Sequence, residues 1–182
     1  MRVKTLDLAV CALFAALSAV LSQITIPIGI VPINLTHISL FLAAGLLGSR
    51  YGTFSQIVYV IMGAIGLPVF SGLSGGMGVV LNATGGFIFG YIICTFVTAY
   101  IIERFGSSYK VLFPAMYAGW VVTYAIGIPW FMFATETSSL TAAVSACMIP
   151  FLPGDLAKTI LSAVLINRLR PVFVKGLGHI DG

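Results

Sequence analysis

Apolar runs follow one another along almost the whole of this chain, and stretches such as 57–65 and 160–166 are greasy on nearly every helical face. An amphipathic surface helix would keep one polar side, and a half-buried strand would alternate. Only 8% of the 182 residues are charged, where an ordinary soluble domain carries about 25%, and the mean hydropathy is +1.10. This is the composition of an integral membrane protein. A spanning helix needs roughly 20 mainly apolar residues, so with short connections the length suits six spans in a single domain, residues 1–182, with no soluble domain beside them. A closed barrel would show segments of about ten alternating residues, which these runs are not. The expected fold is an all-α bundle of six transmembrane helices, multi-pass in the cell membrane and solvated by the lipid bilayer.

The spans are expected at about 6–26, 35–48, 53–67, 87–102, 111–133 and from Pro150 or Pro153 to about 170. The second is short for a span. The first, preceded by Arg2 and Lys4 and carrying Ala16 and Ala19, also has the layout of a secretory signal, yet it is long enough to cross and reads as a retained helix. Gly48-Ser49-Arg50-Tyr51-Gly52 reads as a tight charged turn, and 27–34 and 68–84 as uncharged loops on the opposite side. With six spans, Arg2, Lys4, Arg50, Arg104, Lys110, Arg168, Arg170 and Lys175 fall on one side, eight of the nine Lys and Arg residues. The positive-inside rule makes that side, and both termini, cytoplasmic. The opposite loops hold only Glu136. The ninth basic residue, Lys158, lies 11 residues before Leu169 in the last span, or about 16 Å from its cytoplasmic end, in the outer half of the membrane.

Lys158 belongs to a stretch that puts an acid and a base inside apolar sequence. Pro153 suits the first turn of a helix and Asp155 its positive end; Lys158 then shares a face with Asp155, and Ser162 continues that face. A charged side chain in mid-membrane costs upward of about 2.5–3.5 kcal/mol. Two readings follow. Asp155 caps the helix and pairs with Lys158 as a structural bridge, or the two form a binding site open to the outside, where Lys158 meets a ligand carboxylate and Asp155 accepts ligand N–H groups. Asn82 and Thr84 border the glycine-rich outer loop and Asn34 and Thr36 the first outer loop, so these four are further contact candidates beside a turn role. Trp130 and Tyr124 suit a pocket wall or an interfacial anchor, and His37, with no second ligand residue nearby, polar packing or an outer-edge group.

Several chemistries are set aside. The run Ser71-Gly72-Leu73-Ser74-Gly75-Gly76-Met77-Gly78 lacks the Lys and Ser/Thr of a nucleotide-binding loop, and no Lys occurs between Gly52 and Glu103; uphill movement would need energy from elsewhere. Cys11, Cys94 and Cys147 form no CxxC pair and no His clusters with them, so neither a disulfide framework nor a metal site is indicated. No nucleophile stands beside a base, so no catalytic residue, enzyme activity or cofactor is expected, and no nucleic-acid signature is present. On the first helix Ala9, Ala12, Ala16, Ala19 and Gln23 recur at 3-4-3-4 spacing, a line of small side chains that lets another helix approach, from within the chain or from a partner.

Gly63-Ala64-Ile65-Gly66-Leu67-Pro68-Val69-Phe70, Gly75-Gly76-Met77-Gly78, Thr84-Gly85-Gly86 and Pro150-Phe151-Leu152-Pro153-Gly154-Asp155-Leu156-Ala157-Lys158 together resemble the BioY family, the biotin-binding substrate components of energy-coupling factor transporters. The likeness extends over essentially the whole chain. It implies a six-helix subunit that captures biotin with high affinity from outside, with a transmembrane coupling subunit and two cytoplasmic ATPase subunits as partners. The family's AxxxA motif, which contacts the coupling subunit, is matched by Ala12 with Ala16 and by Ala15 with Ala19. Its PGDxxK motif falls on Asp155 and Lys158, and this pair fits biotin, with the ureido N–H donors matched here to the former and the valerate carboxylate to the latter, and Asn82 as a third contact. The chain departs from the family pattern at Asn34 and Thr36, where Thr and Gln are frequent, and at Asn82 and Phe87, where Gly and Tyr are frequent. A self-sufficient secondary carrier or channel for biotin or another small carboxylate is the alternative.

Overall fold

In the computed structural model, described for residues 5–26, 31 and 33–177, the chain is a helical bundle. In chain order come α1 (Thr5–Gln23), a two-stranded antiparallel ribbon of β1 (Thr25–Ile26) and β2 (Ile33–Asn34), α2 (Thr36–Ala64), the single turn α3 (Met77–Val80), α4 (Gly85–Phe105), α5 (Tyr109–Ala134), α6 (Leu140–Cys147), a 3-10 turn (Ile149–Phe151) and α7 (Leu152–Leu177). Four of these stretches, Thr5–Gln23, Gly85–Phe105, Tyr109–Ala134 and Leu140–Lys175, are long and apolar enough to cross a bilayer. The other two crossings come from α2.

That helix is interrupted at Gly48, whose φ of 77° and ψ of −177° are closed to side-chain-bearing residues. A methyl on Gly52 would stand 2.7 Å from the Ala43 carbonyl oxygen. Residues nine apart lie about 13 Å from each other along one straight helix, so the chain doubles back here and the halves 36–47 and 49–64 run antiparallel. The expected tight turn at 48–52 is thus a break of one residue. Glu103, from the end of α4, fills the gap where a Gly48 side chain would be, and its Oε1 accepts the Ser49 N–H at 2.6 Å, capping the second half. Replacing Gly48 with alanine is expected to cost about 1–3 kcal/mol in backbone strain alone, and more by displacing Glu103. A lowered thermal midpoint in detergent checks this; an unchanged midpoint would contradict the turn.

Contacts sort the two ends of the bundle. At one end Cys11 of α1 donates to the Tyr51 carbonyl, Glu103 caps at Ser49, and Arg170 of α7 reaches the Gly45 carbonyl. The beginning of α1 and the end of α7 therefore share the end that carries Arg50, Arg104, Lys110, Arg168, Arg170 and Lys175, the cytoplasmic side; Arg2 and Lys4 lie outside the described residues. At the other end Ser22 and Gln23 of α1 bind the loop after α2, and Trp130 of α5 binds Asn82.

Several boundaries differ from expectation. The first helix stops at Gln23, because the residues that follow pair as a strand. An additional short helix, α6, precedes the last span, and α7 carries Pro171 within it and continues to Leu177. The first half of α2 is 12 residues, about 18 Å, shorter than the roughly 30 Å hydrocarbon core. The missing depth is occupied by the ribbon and by the loop between Ala64 and Gly85. Irregular backbone at that depth is tolerated where it is covered by protein or lines a polar cavity. It does line one.

Candidate functional site

The cavity lies at the outer end, has a volume of about 330 Å³, and takes its walls from the ribbon, α2, α4, α5, α7 and the loop above them. That is within the usual range of small-molecule sites, roughly 300–1,000 Å³. Its floor and sides are aromatic, with Tyr59, Phe87, Tyr91, Trp120 and Tyr124.

One wall is charged. Pro153 sits at the start of α7 and Asp155 in its first turn, so Asp155 and Lys158 emerge on one face, both on the cavity and only 4% and 6% exposed. Lys158 Nζ donates to Asp155 Oδ1 at 3.0 Å, and the Tyr124 hydroxyl donates to Oδ2 at 2.5 Å. An ionised carboxylate can accept about four hydrogen bonds and an ammonium can donate three. Each group therefore keeps capacity for a ligand. Trp120 ties this wall to the aromatic side: its Nε1 donates to Thr159 Oγ1 at 3.0 Å, Thr159 in turn donates to the Asp155 carbonyl at 2.8 Å, and Lys158 Nζ lies 5.5 Å from the indole centroid, a cation–π distance. The sequence-based alternatives of bridge and site are not exclusive, since the bridge stands on an open chamber.

The roof is the loop that follows α2. Phe70, Ser71, Ser74 and Val79 face the cavity. Gly63 carries no side chain, and the Phe70 ring occupies the space a Cβ would take, edge-on to Tyr59 at 5.6 Å. Four side-chain bonds hold the roof down: Ser22 Oγ to the Val69 carbonyl at 2.6 Å, Gln23 Nε2 to the Phe70 carbonyl at 3.1 Å, the Leu73 N–H to Gln23 Oε1 at 2.8 Å, and Asn34 Nδ2 to Ser71 Oγ at 2.8 Å. The last two attach a loop apex with Leu73 at φ 54°, a conformation costly for a branched side chain.

Of the contact candidates, Asn34, Asn82, Thr84, Asp155 and Lys158 line the cavity. Thr36 and Trp130 do not. Helix α2 begins at Thr36, which is fully buried against its neighbours; the next residue, about 100° around the helix, is His37, and that one faces the chamber. Trp130 stands outside, its Nε1 donating to the Asn82 carbonyl at 2.9 Å and its Cβ seated on Gly86. Ser162 lies one turn further along α7, fully buried and off the cavity. His37, Tyr91 and Trp120 are additions that sequence reasoning missed. The signal for Trp120 was its i,i+4 spacing to Tyr124 with Thr123 between, a half-polar stripe on α5.

On α1, Ala9, Ala12 and Ala16 are exposed, Ala19 is half-buried, and Ala15 is 1% exposed. Ala15 thus packs inside the bundle rather than at the surface. Of the two AxxxA matches, Ala12 with Ala16 is the one that faces outward.

A family model described as the BioY family matches residues 1–175. The chain belongs to the BioY family. Among BioY relatives, the biotin transporter BioY of Thermotoga maritima is 36% identical over 163 residues, covering 90% of this chain and 95% of that protein. The probable biotin transporter BioY of Lysinibacillus sphaericus is 37% identical over 176 residues, 93% and 89% of the two chains. A solved structure, the S-component for biotin from an ECF-type ABC transporter, superposes with a TM-score of 0.83 at 28% identity, covering 93% of this chain and 95% of that one. The six-crossing bundle is therefore the BioY fold, and the chain is membrane-embedded.

Proposed function

We propose that this chain is the biotin-capturing S-component of an energy-coupling factor transporter, receiving biotin from outside and passing it inward when a transmembrane coupling subunit and two ATPase subunits act on it. One observation carries the reading: a buried pair of opposite charges on the wall of an aromatic, roofed chamber at the outer end of the bundle. The pair also constrains how biotin lies. Its ureido group and its carboxylate are at opposite ends of the molecule, separated by the fused rings and four methylenes, so extended biotin does not offer both to two atoms 3.0 Å apart. An adjacent N–H and C=O do match an adjacent acceptor and donor. Asp155 and Lys158 accordingly read the ureido group together, which replaces the assignment of one ligand end to each. The fused rings rest among Trp120, Tyr91 and Phe87, and the carboxylate points towards Asn34, Ser71 and Ser74 under the roof, with Asn82 and Thr84 at the side.

The role is binding rather than turnover. Calorimetric titration of the purified chain is expected to show tight binding of biotin, weaker binding of its methyl ester and none of thiamine. In liposomes the chain alone is expected to give no sustained biotin flux, whereas adding the coupling and ATPase subunits with ATP starts it. Equal binding of thiamine would refute the substrate, and flux by the chain alone would favour a self-sufficient carrier.

A further inference from the structure

Resting on that reading, we infer that His37 is a specificity-determining residue whose imidazole hydrogen-bonds an oxygen of the ligand beside Lys158. His37 lines the cavity, is 7% exposed, and its buried Nε2 has no hydrogen-bond partner among the described residues. A buried polar atom without a partner is costly and uncommon. Packing alone does not account for it. The ring stacks on Trp120 with centroids 3.8 Å apart and planes at 22°, and meets Tyr91 edge-on at 5.1 Å; a phenyl ring would fill the same slot with nothing left unpaired. Lys158 lies 5.5 Å from the centroid of the same indole, and both His37 and Lys158 line the cavity. An imidazole N–H and an ammonium on one chamber both suit an acceptor oxygen, here the ureido carbonyl.

The experiment is a set of calorimetric titrations of the full chain in detergent with biotin, 2-thiobiotin, whose C=S is a weak acceptor, and biotin methyl ester. His37→Phe, which keeps the aromatic stack, is expected to bind biotin about tenfold more weakly. His37→Gln, whose amide nitrogen reaches about as far as Nε2, should keep more affinity than His37→Asn. The contrast between those two carries the test if the phenylalanine variant does not fold. In His37→Phe the wild-type preference for biotin should shrink against 2-thiobiotin and stay intact against the ester. Shrinkage against 2-thiobiotin assigns the contact to the ureido oxygen, whereas shrinkage against the ester would put the carboxylate at His37 and overturn the inference. Unchanged biotin affinity in His37→Phe, equal losses in Gln and Asn, or both preferences left intact would each overturn the inference. Asp155→Asn measured alongside separates it from its premise: if that variant binds biotin like the wild type, the reading of Asp155 and Lys158 as the ureido contact fails.

Discussion

Replacing Lys158 with alanine is expected to weaken biotin binding by two to three orders of magnitude while the protein remains folded. The ammonium is 6% exposed and bonded to Asp155 at 3.0 Å. Truncating one partner of a buried, hydrogen-bonded charge pair typically costs about 2–5 kcal/mol of binding, partly because the other charge is left unpaired, and each 1.4 kcal/mol is about tenfold. The fold is protected because Asp155 keeps its bond from Tyr124 and borders a chamber that water can enter. Titration calorimetry on the purified variant, with gel filtration to verify folding, reads both halves of the prediction. Wild-type affinity would remove Lys158 from the site.

A leucine in place of Ala16 is expected to have the opposite profile, abolishing assembly while sparing capture. Ala12 and Ala16 are one turn apart on the outward side of α1, flanked by exposed Leu13 and Val20. Between helices in lipid, association depends on close packing of small side chains, and a leucine on this line holds a neighbouring helix away. Ala16 does not line the cavity, so biotin affinity should be unchanged. Co-purification of the variant with the coupling subunit tests it directly: loss of the complex is expected, and an intact complex would show that this face is not the docking surface. The corresponding change at Ala15 would be uninformative, since that side chain is buried in the bundle.

The architecture was legible in the sequence to the extent that hydropathy and charge determine it. Apolar length marked the crossings, the sorting of basic residues oriented them, and Gly48 marked the reversal in α2. What escaped was made by tertiary contact. The ribbon is two residues per strand and exists because Thr25 pairs with Asn34. The eight residues of α6 are too few to show a period, and their serine cap is one of several in that stretch. The site divided in the same way. Asp155 and Lys158 stood out because charge is expensive in apolar surroundings. His37, Tyr91 and Trp120 come from three helices, and in a membrane protein each has an ordinary packing role when read alone. Thr36 and His37 exchanged places for a smaller reason. One residue in the start of α2 is a rotation of about 100°, and that start is determined by Asn34 Oδ1 accepting the Thr36 N–H at 3.1 Å, a local contact invisible to periodicity.

The most direct measurement is a crystal structure of this chain with biotin bound. The ligand's fused rings should lie among Trp120, Tyr91 and Phe87, with the ureido group within hydrogen-bonding distance of both Asp155 and Lys158 and the roof closed over the valerate chain. Biotin density outside this chamber, or the fused rings seated there with the ureido group turned away from an undisturbed Asp155–Lys158 pair, would contradict the account.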